Sequence, residues 1–112
     1  MDDLQSAVYY SCWNQCIAQA ITRFPVDMYH VNDYHGAAAP LYLLPRTIPI
    51  CLSLHNAEFQ GLWALRNSRE FQEVCDVFNL PPAIVKQYVQ FGDVFNLLHA
   101  GSSYLRIHQK GL

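Results

Sequence analysis

The chain has 112 residues, 52% of them apolar and 14% charged, with seven Lys and Arg against nine Asp and Glu for a net charge of −2. That bounds it to one small globular domain and excludes the clustered basic surface of a nucleic-acid-binding protein. No apolar run approaches the roughly 20 residues of a membrane span, and the acidic start Met1-Asp2-Asp3 is unlike a secretory signal.

Asp2 or Asp3 can cap a first helix that runs to about Phe24. Its apolar residues Val8, Tyr9, Cys12, Trp13, Cys16, Ile17, Ala20, Ile21 and Phe24 recur at helical steps, which predicts one continuous packing stripe. Pro25 ends it. Residues 26–31 read as a short strand and 32–36 as the turn after it. Residues 37–44 read as a short helix with Pro40 in its first turn, where a missing N–H is tolerated. The apolar run 48–54 lies between proline signals and reads as a buried strand. Residues 62–66 read as an apolar-basic loop. Asn67 caps a helix through Phe78, with Glu70 in the capping-box position. The run Asn79-Leu80-Pro81-Pro82 breaks that helix. A further helix covers 83–91, and a last one starts at Gly92-Asp93, with a possible interruption at Gly101. The chain closes on His108-Gln109-Lys110-Gly111-Leu112. No repeat, low-complexity tract or charge run occurs.

The four cysteines, Cys12, Cys16, Cys51 and Cys75, do not form a disulfide framework. They read as small hydrophobes in a reducing compartment. Zinc on Cys12, Cys16 and two histidines lacks a second paired motif, so no metal is expected.

The order strand, helix, strand across residues 26–54 predicts a βαβ unit with parallel strands. Parallel pairing brings the two strand ends to one sheet edge, about 5 Å apart. Asp33 and His35 follow the first strand, and His55, Asn56 and Glu58 follow the second. Open parallel sheets bind ligands at that edge, and these groups suit a sugar or a phosphate. The same His-Asn pair also suits a loop cap with no ligand. Gly61 permits a turn that a side chain would obstruct. Two parallel strands with about five helices do not make an independent sheet. The pattern therefore reads as α/β, a slice of a larger α/β domain.

Two motifs, Asn32-Asp33-Tyr34-His35-Gly36-Ala37 and His55-Asn56-Ala57-Glu58-Phe59-Gln60-Gly61-Leu62-Trp63, resemble the glycogen and starch synthase family of glycosyltransferases. The run from Ser6 to Gly111, with Tyr42-Leu43-Leu44-Pro45-Arg46-Thr47-Ile48-Pro49 and Tyr88-Val89-Gln90-Phe91-Gly92, is similar to the synthase region of the fungal cell-wall α-1,3-glucan synthases.

The resemblance implies a GT-B fold, two Rossmann-like domains facing across a cleft, with residues 1–112 a fragment of the amino-terminal one. It implies retaining transfer of glucose from UDP- or ADP-glucose to a growing α-glucan, without metal or cofactor. By the resemblance, His55 and Asp33 are catalytic, and His35, Asn56 and Gln60 bind substrate. The partners implied are the nucleotide sugar, the α-glucan and a second glycosyltransferase domain. A plasma-membrane parent would hold this synthase domain on its cytoplasmic side. The family's glycine-rich lysine loop does not occur in these 112 residues, nor do the Arg-Lys pair and glutamate of the second domain. Ala64 stands where the subgroup usually has proline. On its own the chain is expected to be inactive; the other reading is a non-catalytic remnant that acts by binding.

Overall fold

A computed structural model describes residues 3–56 and 58–109. Asp2, the alternative helix cap, Ala57 of the second motif and residues 110–112 lie outside them. The chain is α/β, with four α-helices, a two-stranded parallel sheet and a three-stranded antiparallel one.

Helix α1 (Leu4–Arg23) starts where Asp3 accepts a hydrogen bond from Ser6 N at 2.8 Å, and it ends at extended Phe24, ahead of Pro25. Its packing face is not the predicted stripe. Ala7, Ser11, Asn14, Ala18 and Ile21 are buried, whereas Val8, Tyr9, Trp13 and Phe24 are 51–66% exposed. Cys12, Cys16 and Ala20 are exposed too, and Ile17 is half-buried. The helix is apolar around most of its circumference, so periodicity alone does not choose which arc meets the rest of the chain. Close approach chooses it. The small-residue face lets Ser11 Oγ donate to Val77 O at 2.7 Å across to the next helix.

Strands β1 (Tyr29–Asn32) and β2 (Ile50–Ser53) pair in parallel, with Tyr29 opposite Ile50 and Asn32 opposite Ser53. Both are shorter than the predicted runs. The crossover between them contains a 3₁₀ helix (Ala39–Leu43) with Pro40 in its first turn, as expected. Val31 and Ile50 face the core. His30 and Cys51 are exposed on the opposite face, so β2 is not buried on both sides. The outer edge of β2 is occupied by side chains instead of a strand. Tyr104 Oη accepts from Ile48 N at 3.0 Å and donates to Ile48 O at 3.3 Å. The Gln109 amide accepts from Ile50 N at 2.5 Å and donates to Ile50 O at 2.9 Å. These bonds satisfy backbone groups that a bare edge leaves to water.

After Gly61 the chain departs most from the sequence reading. Residues predicted as a loop form β3 (Leu62–Ala64), which pairs antiparallel with β5 (Val94–Asn96); β4 (Gln90–Phe91) flanks β5 on its other side. Gly92, with φ 64°, turns the β4–β5 hairpin and does not start a helix. Helix α2 (Ser68–Phe78) matches expectation: Asn67 Oδ1 accepts from Glu70 N at 2.9 Å, and Asn79 closes it in the left-handed region. The predicted helix over 83–91 is a single turn, α3 (Pro82–Ile84), running into a π-turn (Val85–Val89) and then β4. Helix α4 (Leu97–His108) begins four residues later than predicted, at an Asn96 cap. Gly101 does not interrupt it; a Cβ there would lie 3.3 Å from Ala37 Cβ, so the glycine serves close packing of α4 on the crossover.

The core gathers Trp63, Phe78 and Phe95 between α2 and the antiparallel sheet, with Phe78 and Phe95 rings 4.5 Å apart. Each fully buried phenylalanine contributes about 1.5–3 kcal/mol. Trp63 Nε1 donates to Asp3 O at 2.7 Å, tying that sheet to the start of α1.

Candidate functional site

The register of β1 and β2 decides the site. Because Asn32 lies opposite Ser53, both strands stop at one level and their loops leave side by side. Asp33 N donates to Ser53 O at 2.8 Å, one further ladder bond, and Asp33 then takes φ 57°. Aspartate tolerates this left-handed conformation better than most residues. The turn aims its carboxylate across the edge at the second loop. Asp33 Oδ1 accepts from His55 N at 2.6 Å and from Asn56 N at 3.2 Å. Asp33 Oδ2 lies 3.4 Å from His55 Nδ1.

These contacts hold the Asp33 carboxyl below its ordinary pKa, with the backbone N–H of His55 as the largest cause. It is a carboxylate at neutral pH. Its side chain is 19% exposed, against 65% for His55. Asp33 thus fixes the backbone of the second loop and one side of an imidazole that otherwise stands open. With Nδ1 facing the carboxylate, Nε2 is the ring nitrogen left for a ligand. Asn56 Oδ1 accepts from Glu58 N at 3.0 Å, an Asx turn that shapes the loop, and Glu58 is exposed.

Asp33, His55 and Asn56 therefore meet, some twenty residues apart in sequence. His35 is exposed on the first loop, stacked on Tyr34 with ring centroids 4.1 Å apart. Tyr34 Oη also meets Tyr10 Oη at 3.1 Å, so an aromatic group borders the Asp33 loop. Gln60 is placed further along the second loop. Its Oε1 accepts from Asn96 Nδ2 at 2.9 Å, and its carbonyl accepts from Leu98 N, which ties the loop to the start of α4. Gly61 has φ 71° and is packed so that a Cβ would stand 2.9 Å from both Leu97 Cβ and Tyr34 Cδ2. The obstruction expected of a side chain at 61 is present.

Two residues escaped the sequence reading. Asn96 falls inside the helix predicted from Gly92-Asp93, although an asparagine three residues before His99 fits a cap. Asn14 lay off the apolar stripe; the signal was its place with Ala7 and Ile21 at seven-residue spacing, one face of the helix. All four cysteines are free; Cys75 is buried, as a small hydrophobe would be, whereas Cys12, Cys16 and Cys51 are exposed. Among the described residues no three His, Cys, Asp or Glu side chains are placed to hold a metal ion. No helix among them is long and apolar enough to cross a membrane. A groove of about 700 Å³, lined by Tyr42, Leu44, Pro45, Leu80, Pro81 and Ile84, includes none of the strand-end residues.

Residues 2–107 match the starch synthase catalytic domain. The chain belongs to that family. It is 69% identical over 110 residues to the cell wall alpha-1,3-glucan synthase mok11 of Schizosaccharomyces pombe, covering 98% of this chain and 5% of that protein. The identity to ags1, a cell wall alpha-1,3-glucan synthase of the same organism, is 67% over 111 residues, 99% of this chain and 5% of the relative. A glycogen synthase of Aromatoleum aromaticum is 34% identical over 82 residues, 70% of this chain and 15% of that protein. The chain thus spans about one-twentieth of the length of its Schizosaccharomyces pombe relatives. No solved structure matches it.

Proposed function

We propose that the chain is a segment of the amino-terminal, Rossmann-like half of a two-domain GT-B glucosyltransferase. The enzyme moves glucose from UDP- or ADP-glucose to a growing α-glucan with retention of configuration, in cell-wall α-1,3-glucan synthesis. The observation that carries this reading is the Asp33–His55 pairing at the ends of two parallel strands, in a chain of the starch synthase catalytic domain family.

In this reading the exposed imidazole of His55 hydrogen-bonds a hydroxyl of the donor glucose. Asp33 holds it there and sets a fixed negative charge near the ring carbon, where positive charge develops as the leaving phosphate departs. His35, Asn56 and Gln60 line the same loops and contact substrate. The facing domain supplies the groups that neutralise the diphosphate. Nothing in these roles calls on a metal or cofactor. The synthase domain works on the cytoplasmic side of the membrane.

The test is His55→Ala and Asp33→Asn in the full-length enzyme that carries this segment. His55→Ala lowers glucan synthesis by about 100-fold or more, the order seen when one preorganised charge-stabilising group is lost. Melting is unchanged, because the ring is largely exposed. Asp33→Asn lowers the rate less, since an amide oxygen still accepts one loop N–H. A full-length enzyme that keeps most of its rate after His55→Ala refutes the role. Sugar-nucleotide hydrolysis by the isolated 112 residues refutes the need for a facing domain.

A further inference from the structure

We infer that Asn14 is a positioning residue for the strand-end site, acting through the backbone of the Asp33 loop. The inference rests on the assignment of Asp33 and His55 to the site.

Asn14 stands mid-helix on the small-residue face of α1, and its side chain is fully buried. A buried amide is costly unless its groups are bonded. Here Nδ2 donates to Tyr10 O at 2.8 Å and to His35 O at 2.9 Å, and Oδ1 accepts from Ala38 N at 3.0 Å. One bond is local to the helix. The other two reach the loop that carries Asp33, on both sides of Gly36, so the amide reads that loop as a strand partner would. Of its buried neighbours on this face, Ala7, Ala18 and Ile21 are apolar and Ser11 bonds Val77 O of α2, whereas the Asn14 amide bonds the Asp33 loop. A second tie converges on the same loop: Tyr29 Oη donates to Gly36 O at 2.7 Å. The space above Gly36 is filled by that hydroxyl and by Ile17 Cδ1, so the loop is clamped between β1 and α1.

The clamp explains how Asp33 keeps its left-handed turn. The turn depends on the loop after it being fixed, because a free loop would relax Asp33 to an ordinary conformation and withdraw its carboxylate from the His55 and Asn56 amides. Asn14 is sealed from solvent, so it acts on the site by way of Asp33.

The experiment uses the full-length enzyme with Asn14→Leu, which keeps the volume and removes the bonds, and separately Tyr29→Phe, which removes one hydroxyl. Deuterium uptake is followed in peptides covering 54–59 and 48–52, beside kcat and KM for the nucleotide sugar. Uptake in 54–59 rises to that of an Asp33→Ala control while 48–52 stays protected. The kcat falls about 10–100-fold, the scale of a small misplacement of reacting groups, with KM within about twofold. A purely structural role would lower melting without that split. If Asn14→Leu does not fold, Tyr29→Phe carries the same comparison. Unchanged uptake in 54–59 overturns the positioning role whatever the rate. Raised uptake beside a normal rate for His55→Ala supports the clamp and overturns the catalytic reading.

Discussion

Replacing Gly61 by alanine tests the packing of the site loop against α4, and a second glycine supplies the reference. Gly61 and Gly92 both have positive φ, 71° and 64°. The left-handed conformation costs an L-residue about 1–2 kcal/mol, and the stiffer unfolded chain returns about 0.4–1 kcal/mol. Gly92→Ala meets open space, since no atom lies within 4 Å of its Cβ position. Its net cost is therefore roughly 1 kcal/mol. Gly61→Ala carries the same conformational change and also places its Cβ 2.9 Å from Leu97 Cβ and Tyr34 Cδ2. Leu97 is fully buried at the start of α4, so it has no free volume to move into. Overpacking of this kind adds about 1–3 kcal/mol. Gly61→Ala is expected to destabilise by roughly 3 kcal/mol, about 2 kcal/mol more than Gly92→Ala. Urea unfolding followed by fluorescence of the buried Trp63 reads both, with unchanged slopes. Equal midpoints for the two variants, or a Gly61→Ala midpoint at the parent value, would show that the loop is not wedged between Tyr34 and α4.

Acid stability follows from the depressed carboxyls. Bonding to Arg66 lowers the Glu70 pKa from 4.5 to about 2, so its contribution is complete above the unfolded value and is lost as pH falls through that window. The urea midpoint of the parent should therefore converge on that of Glu70→Gln between about pH 4.5 and 2; a constant gap would sink the linkage. Asp33 acts with the same sign, so Asp33→Asn also flattens the acid limb. Exposed Val8, Tyr9, Trp13 and Phe24 predict that the isolated chain binds an apolar dye. Val8→Gln with Trp13→Gln should reduce that binding and leave the urea midpoint within about 0.5 kcal/mol, as surface changes do. A large loss of stability would place those side chains in the core.

Local signals in the sequence were sufficient wherever a short-range bond defines the element. The Asp3 and Asn67 caps, the stop at Pro25, Pro40 in the first turn of its helix and the positive-φ turn at Gly61 all follow from contacts within a few residues or from one dihedral. The parallel pairing of β1 with β2 was legible too, because the crossover length and the two strand ends permit it, and it brought Asp33 to His55 and Asn56. Tertiary structure decided the rest. Residues 62–64 are a strand only because β5, some thirty residues later, lies beside them, and a three-residue strand has too little period to announce itself. The buried arc of α1 was set by what fits against α2 and the Asp33 loop, and small residues won over Trp13 and Tyr9 because backbones had to come close. The amide of Asn14 gains its meaning only from His35 and Ala38, more than twenty residues away, and a sequence carries no distance between them.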